Sequence, residues 1–292
     1  MKIHRAPPPT FELLRERLYR GDAFLLPPTG ASEALVTAVR ERVREELGGE
    51  NIREIPLSLE DDDLFRRFGR IRKILYTEPR FLELARDTIA QGGFDPALAA
   101  FDPLRLRVIA HRGFENPRAR PVYYPHRDTW YSHPQSIVTW WIPLDDLEEH
   151  ETFVFHPRYF GEAVDNDSEI FDYREWVARG WDLKIGWQDP EAGRTARYPR
   201  AHEGFDPGPG LGFSCRRGEN LLFSGSHFHQ TRPQATGKTR YSLDFRVVHL
   251  PDEAMGLGAP NVDNRSRGSA LPDYTQPRVR LAQAEEQGRV LR

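Results

Sequence analysis

The chain has 292 residues, enough for one large domain or two small ones and for a sizeable buried core. Its 41 Lys and Arg stand against 44 Asp and Glu, and a formal net charge of −3 argues against a nucleic-acid binder, which would carry a clear basic excess. An aromatic share of 11% is too high for a disordered chain, and the single cysteine, Cys215, excludes an intrachain disulfide or a cysteine-rich zinc site and fits a reducing compartment.

The opening stretch MKIHRAPPPT lacks the apolar run of a signal peptide, and the longest apolar stretch, 137–144, is far short of the ~20 residues of a membrane span. A soluble, cytoplasmic protein is expected. The first hundred residues read as helical. Apolar positions 11, 14 and 18 have helical spacing, so 11–20 is a first helix. Ser32 and Glu33 open a second that runs to Leu47 and stops at Gly48 and Gly49. Asp61, Asp62 and Asp63 precede a third, 64–75, in which acids first and bases later suit the helix dipole. Pro79 leads into a fourth, 81–90, ended by Gly92 and Gly93.

From about residue 102 the period falls from 3.6 to 2. Segments 104–109, 136–143, 220–224 and 240–250 read as strands, and the 24 Pro and 23 Gly supply the turns between them. Residues 158–213 show few clear periods and read as a lid or binding-loop insertion. Beyond Pro251 the chain turns polar and Gly-rich, a surface-hugging tail with a short helix near 280–287. Helices followed by strands predict an α+β chain with a β-sandwich or barrel and the helices on one outer sheet face. No linker divides the chain, so 1–292 is expected to be one domain: a helical part to 100, a β core over 101–250 and a tail over 251–292.

Three local features can carry chemistry. In the first, His126-Arg127-Asp128, an extended backbone turns an imidazole and a carboxylate to the same side. That is two-thirds of the 2-His-1-carboxylate set that holds non-haem Fe(II) with open positions, although a surface His and Asp would look the same. The second is Ser226-His227-Phe228-His229, which follows the apolar strand 221–223; His227 and His229 share a face by parity, and either can be a third ligand. In the third, 240–246, Arg240, Ser242, Asp244 and Arg246 alternate with Tyr241, Leu243 and Phe245. One face is then polar, and the other packs on something apolar, such as the N-terminal helices. An inward arginine needs an anion, because an unpaired buried charge is costly. A carboxylate bound by Arg240 with Ser242 fits that need, while an ion pair of Asp244 with Arg240 or Arg246 is the bland alternative.

Together these features resemble the Fe(II)/2-oxoglutarate-dependent dioxygenases, specifically the phytanoyl-CoA dioxygenase-like branch. The resemblance spans about 102–250. It rests on His126-x-Asp128, a third histidine about a hundred residues later, and Arg240-x-Ser242 eleven residues after His229, a spacing that selects His229 over His227. The run from His229 through Pro233, Gln234, Thr236 and Gly237 to Arg240 and Ser242 is similar to that family's run, with Gln234 in place of the usual Asn.

The resemblance implies a double-stranded β-helix, a jelly-roll or cupin-like core. It implies Fe(II) on His126, Asp128 and His229, and 2-oxoglutarate as cosubstrate with its far carboxylate on Arg240 and Ser242. By strand parity Thr139 and Arg107 also face the cofactor pocket. O2 and a small-molecule substrate are the remaining partners, with succinate and CO2 released. A carboxylate at 128, where halogenating relatives have Gly or Ala, favours hydroxylation or a related C–H oxidation over chlorination. Trp130, Tyr131, Gln135 and Trp141 are the candidate substrate-facing residues. A cupin-like metal enzyme that does without 2-oxoglutarate and a non-catalytic jelly-roll binding module are the competing expectations.

Overall fold

The computed structural model describes residues 1–180 and 198–276. Four helices come early: α1 (Phe11–Tyr19), α2 (Gly30–Leu47), α3 (Asp61–Thr77) and α4 (Pro79–Gln91). Local chemistry sets their ends. Thr10 Oγ1 accepts from Leu13 N to start α1, and Thr29 with Ser32 forms a reciprocal capping box that starts α2 two residues ahead of the sequence expectation. Gly48 stops α2 at φ 78°, a left-handed conformation that glycine adopts without steric cost.

The strands are β1 (Ile3–His4), β2 (Ala23–Leu26), β3 (Ala99–Phe101), β4 (Arg105–Ile109), β5 (Val138–Pro143), β6 (Phe153–Phe155), β7 (Asn220–Ser224), β8 (His229–Thr231) and β9 (Arg240–His249). The larger sheet runs β1-β2-β7-β5-β9-β3, with β4 also paired to β9, and every pairing except β1 with β2 is antiparallel. Strand β9 is long enough to hold β4 along its first half and β3 along its second. The smaller sheet pairs β6 with β8 and is widened by bridges of His126 to His229 and of Phe155 to Leu211.

The larger sheet has two unlike faces. Its outer face presents Phe24, Leu222, Trp140, Ile142, Tyr241, Leu243, Phe245 and Val247 to the helices, where Leu35, Val39, Phe68, Ile71 and Leu75 complete the main core. The N-terminal helices therefore cover the outer sheet face, as the alternation in β9 predicts. The inner face meets the smaller sheet through Leu25, Trp141, Leu221 and Phe223 against Phe153, Phe155 and Phe213.

Within the stretch read as an insertion, α5 (Tyr173–Gly180) forms, and Asn166 bridges Ala201. Trp181 and Trp187 of that stretch, and the tail helix expected at 280–287, lie outside the described residues. After β9 a short helix, α6 (Leu250–Ala254), leads into the tail, which returns to the sheet where Thr275 bridges Phe101. No helix among the described residues is long and apolar enough to cross a membrane.

Candidate metal centre

His126, Asp128 and His229 meet in the interior, each offering a ligand atom within 4.8 Å of the others. Strand pairing brings the two histidines together. His126 N donates to His229 O, and His229 N to His126 O, both at 3.0 Å. Directly opposed residues in such a pair send their side chains to the same side, and the ring centroids are 4.5 Å apart. His227 lies outside this group: its NH donates to Ser224 O in the turn after β7, and its ring packs on Phe160 at 4.6 Å. The turn passes close to Asp128 because residue 225 is glycine; a Cβ there would stand 2.2 Å from Ile137 Cδ1 and 3.3 Å from Asp128 Cβ.

Both rings are set in the same tautomer. His126 Nδ1 lies 2.8 Å from Tyr124 O, and His229 Nδ1 lies 3.0 Å from His227 O. A carbonyl only accepts, so each Nδ1 carries the hydrogen and donates it, leaving each Nε2 lone pair free. His126 Nε2 is 3.8 Å from Asp128 Oδ1. Burial pushes the His126 imidazole down to about 3, with His229 adding to the effect, so the ring is neutral, as a metal ligand must be.

Asp128 opens a short 3-10 turn and is 2% exposed. Burial alone would raise its pKa, but the charge and hydrogen bond of the Arg246 guanidinium outweigh it and hold the carboxyl well below the usual range. Thr139 Oγ1 donates to Oδ2 at 2.6 Å, and Arg246 Nη2 donates to Oδ1 at 2.8 Å. Thr139 and Arg246 are partners across the β5–β9 ladder, so both reach the carboxylate from one point of the inner face. Arg246 is also within 3.4 Å of Asp102.

Further along the same face of β9 the polar groups are left without partners. Arg240 is 2% exposed, its Nε and Nη1 have no hydrogen-bond partner, and neither does Ser242 Oγ beside it. The guanidinium lies 5.9 Å over the Trp141 ring, and burial lowers its pKa to about 10. It remains charged at neutral pH, and among the described residues no carboxylate pairs with it. Of the two internal ion pairs that the sequence left open, Asp244 makes the one with Arg246, at 3.9 Å, and not the one with Arg240; it also accepts from Arg107 Nε at 2.9 Å.

Other expected residues fall in varied places. Thr139 belongs to the centre through Asp128, whereas the charge of Arg107 is taken by Asp244. Tyr131 sets its ring edge-on to His126 at 5.5 Å and is backed by Phe171 at 5.5 Å and Tyr198 at 6.3 Å, which makes it a wall of the centre. Trp130 does not face the site. It is fully buried, with its Nε1 donating to Asp263 and its ring against Phe228, because the 3-10 turn rotates it into the interior. Gln135 accepts from Ser226 Oγ at 2.8 Å and braces the turn before His229. Trp141 is 4% exposed and lies under Arg240 between the sheets. Arg246, Phe171 and Tyr198 were not expected at the site. Parity had placed Arg246 on the inner face, but Phe171 and Tyr198 come from the irregular stretch, where no period marks them.

No family model matches the sequence, and no curated protein matches it. Among solved structures, the chain is similar to ThoJ, described as a non-heme monooxygenase in apo form, at 11% identity over 94% of this chain and 93% of that one, with a TM-score of 0.45. It is similar to SnoN, described as a non-heme alpha ketoglutarate dependent epimerase from nogalamycin biosynthesis, at 16% identity over 92% and 100% of the two chains, TM-score 0.41. It is also similar to EvdO2 from Micromonospora carbonacea var. aurantiaca, complexed with 2-oxoglutarate, at 14% identity over 62% and 64%, TM-score 0.37. These scores lie below 0.5, so the chemistry assigned to this chain rests on its own side chains.

Proposed function

We propose that this chain is a non-haem Fe(II)- and 2-oxoglutarate-dependent oxygenase that oxidises a C–H bond of a small molecule, on a double-stranded β-helix core of the phytanoyl-CoA dioxygenase-like kind. One observation carries the reading: two imidazoles with free Nε2 lone pairs and an ionised buried carboxylate converge, while a buried guanidinium with Nε and Nη1 unpartnered and an unpartnered hydroxyl wait on the same inner sheet face. Two neutral imidazoles and one carboxylate suit Fe(II) and leave coordination positions open. Arg240 and Ser242 lack one thing, an anionic acceptor, and the far carboxylate of 2-oxoglutarate meets both the charge and the hydrogen-bonding need.

When bound, Fe(II) and 2-oxoglutarate would activate O2, the oxidant: one oxygen atom would go into succinate as 2-oxoglutarate loses CO2, and the other to the substrate. The protein's own residues hold and shield. Tyr124 O and His227 O fix the orientation of the two rings, and Thr139 and Arg246 fix that of the Asp128 carboxylate. Arg246 also keeps Asp128 ionised, so the ligand set carries one negative charge at neutral pH. Arg240 and Ser242 would bind the distal carboxylate of the cosubstrate, and Tyr131, backed by Phe171 and Tyr198, would wall the side from which a substrate approaches.

A cupin-like enzyme without 2-oxoglutarate, or a binding module without metal, leaves the buried charge of Arg240 unexplained. The test is an assay of the purified chain with Fe(II), 2-oxoglutarate and O2. Succinate release matched to O2 uptake, and lost in Arg240→Met, is expected. Oxygen uptake that ignores 2-oxoglutarate, or no uptake at all, would refute the reading.

A further inference from the structure

Arg127 occupies the middle of His126-Arg127-Asp128, where the motif needs only a spacer, yet its side chain is 1% exposed and wholly engaged. It leaves the extended segment on the side opposite the two ligands. Its Nε lies 2.9 and 3.0 Å from Asp263 Oδ1 and Oδ2, and its Nη2 lies 2.8 Å from Asp263 Oδ2. The same Nη2 donates to Glu162 O at 3.0 Å, and Nη1 donates to Ser226 O at 2.6 Å. Ser226 stands in the turn that delivers His229. One guanidinium therefore ties the segment carrying two ligands to the segment carrying the third.

Asp263 is the anchor on the other side. Besides Arg127, its carboxylate accepts from Trp130 Nε1 at 2.8 Å and from Val164 N at 2.9 Å, and its backbone carbonyl accepts from Asn166 Nδ2 at 3.1 Å. The chain that follows continues to grip the ligand turn. Ser132 N donates to Ser266 Oγ at 3.1 Å, Ser132 Oγ to Arg267 O at 2.7 Å, and Ala270 N to Ser132 O at 2.9 Å. Those bonds hold Ser132 at φ 59°, a left-handed conformation that a residue with a side chain seldom keeps unless its surroundings dictate it.

A metal set of three ligands works only when its atoms are held to within a fraction of an ångström, and here His126 and Asp128 lie outside the regular strands. Cross-bracing must come from elsewhere. We propose that Asp263 acts through Arg127 as a positioning residue for the metal centre, so that the segment from 261 to 270 helps set metal affinity. This rests on the reading that His126, Asp128 and His229 bind a divalent ion. Lysine cannot replace Arg127, because a point charge cannot span three partners on three segments as a planar fork does.

The experiment titrates Co(II) into the metal-free full chain and its Asp263→Asn, Arg127→Lys and Trp130→Phe variants. It follows the visible absorption of the bound ion alongside far-ultraviolet circular dichroism. Asp263→Asn and Arg127→Lys are expected to keep the wild-type dichroism, to bind Co(II) roughly 10- to 100-fold more weakly and to change the shape of the visible band. Trp130→Phe removes one donor to Asp263 while keeping the ring, and a smaller loss in the same direction is expected; it decides the matter if Asp263→Asn does not fold. Folded variants with wild-type affinity and an unchanged band would overturn the positioning role. A wild-type chain that binds no Co(II) would instead overturn the metal-centre reading, so the two failures are told apart.

Discussion

The two faces of β9 are equally buried and opposite in character. Every residue from Arg240 to His249 is buried. On the outer face Tyr241, Leu243, Phe245 and Val247 enter the core beneath the helices, and Trp140 stacks on Phe245 at 5.8 Å with the rings 11° from parallel. On the inner face Arg240, Ser242, Asp244 and Arg246 line the site. Burial of the outer face stabilises by about 25 cal/mol per Å² of apolar surface, whereas burial of the inner face strips water from charges, a cost that only pairing offsets. Arg246 and Asp244 are paired; among the described residues Arg240 has no such partner. The uncompensated cost marks the place where a ligand would complete the structure.

Five substitutions can break or sharpen that contrast. The largest effect is expected at the ligands: His229→Ala abolishes stoichiometric divalent-metal binding in an anaerobic titration, whereas His227→Ala retains it; the reverse pattern would put the centre on the wrong histidine. Next, Phe245→Ala on the outer face costs about 3–5 kcal/mol in denaturant unfolding and leaves the metal affinity of the folded chain unchanged. Arg240→Met, five positions away on the inner face, has the opposite sign. The metal-free, ligand-free chain gains stability of about 1–4 kcal/mol, and the rise in Tm that 2-oxoglutarate gives the iron-loaded wild type is lost. The smallest change is Thr139→Val, which leaves Asp128 Oδ2 without its donor, costs about 1–3 kcal/mol and weakens metal binding without abolishing it. If Phe245→Ala and Arg240→Met both destabilise and neither alters ligand binding, the two faces do not divide the work.

Much of this was legible in the sequence where a period or a spacing carries it. Alternation over 240–250 placed both faces of β9, and two-residue spacing brought His126 and Asp128 to one side. Strand β2 was read as part of the helical region because Ala23–Leu26 is covered on both faces and so shows no alternation. Strands β6 and β8 have three residues each, too few to show a period. Parity put Arg246 on the polar face, but its partner Asp128 is 118 positions away and nothing local announces the pair. Asp263, 136 positions from Arg127, was invisible for the same reason. Proximity to the motif suggested Trp130 as a pocket wall, and only the backbone turn at 128–131 reveals that it points the other way.

The central claim is that one ion and one dicarboxylate complete the inner face. An anaerobic titration of the metal-free wild-type chain with Fe(II), followed by 2-oxoglutarate, tests it most directly. One Fe(II) per chain, then one 2-oxoglutarate whose binding is lost in Arg240→Met while Fe(II) binding remains, is the predicted result. A chain that takes up no stoichiometric iron, or that binds 2-oxoglutarate equally well without Arg240, would contradict the account.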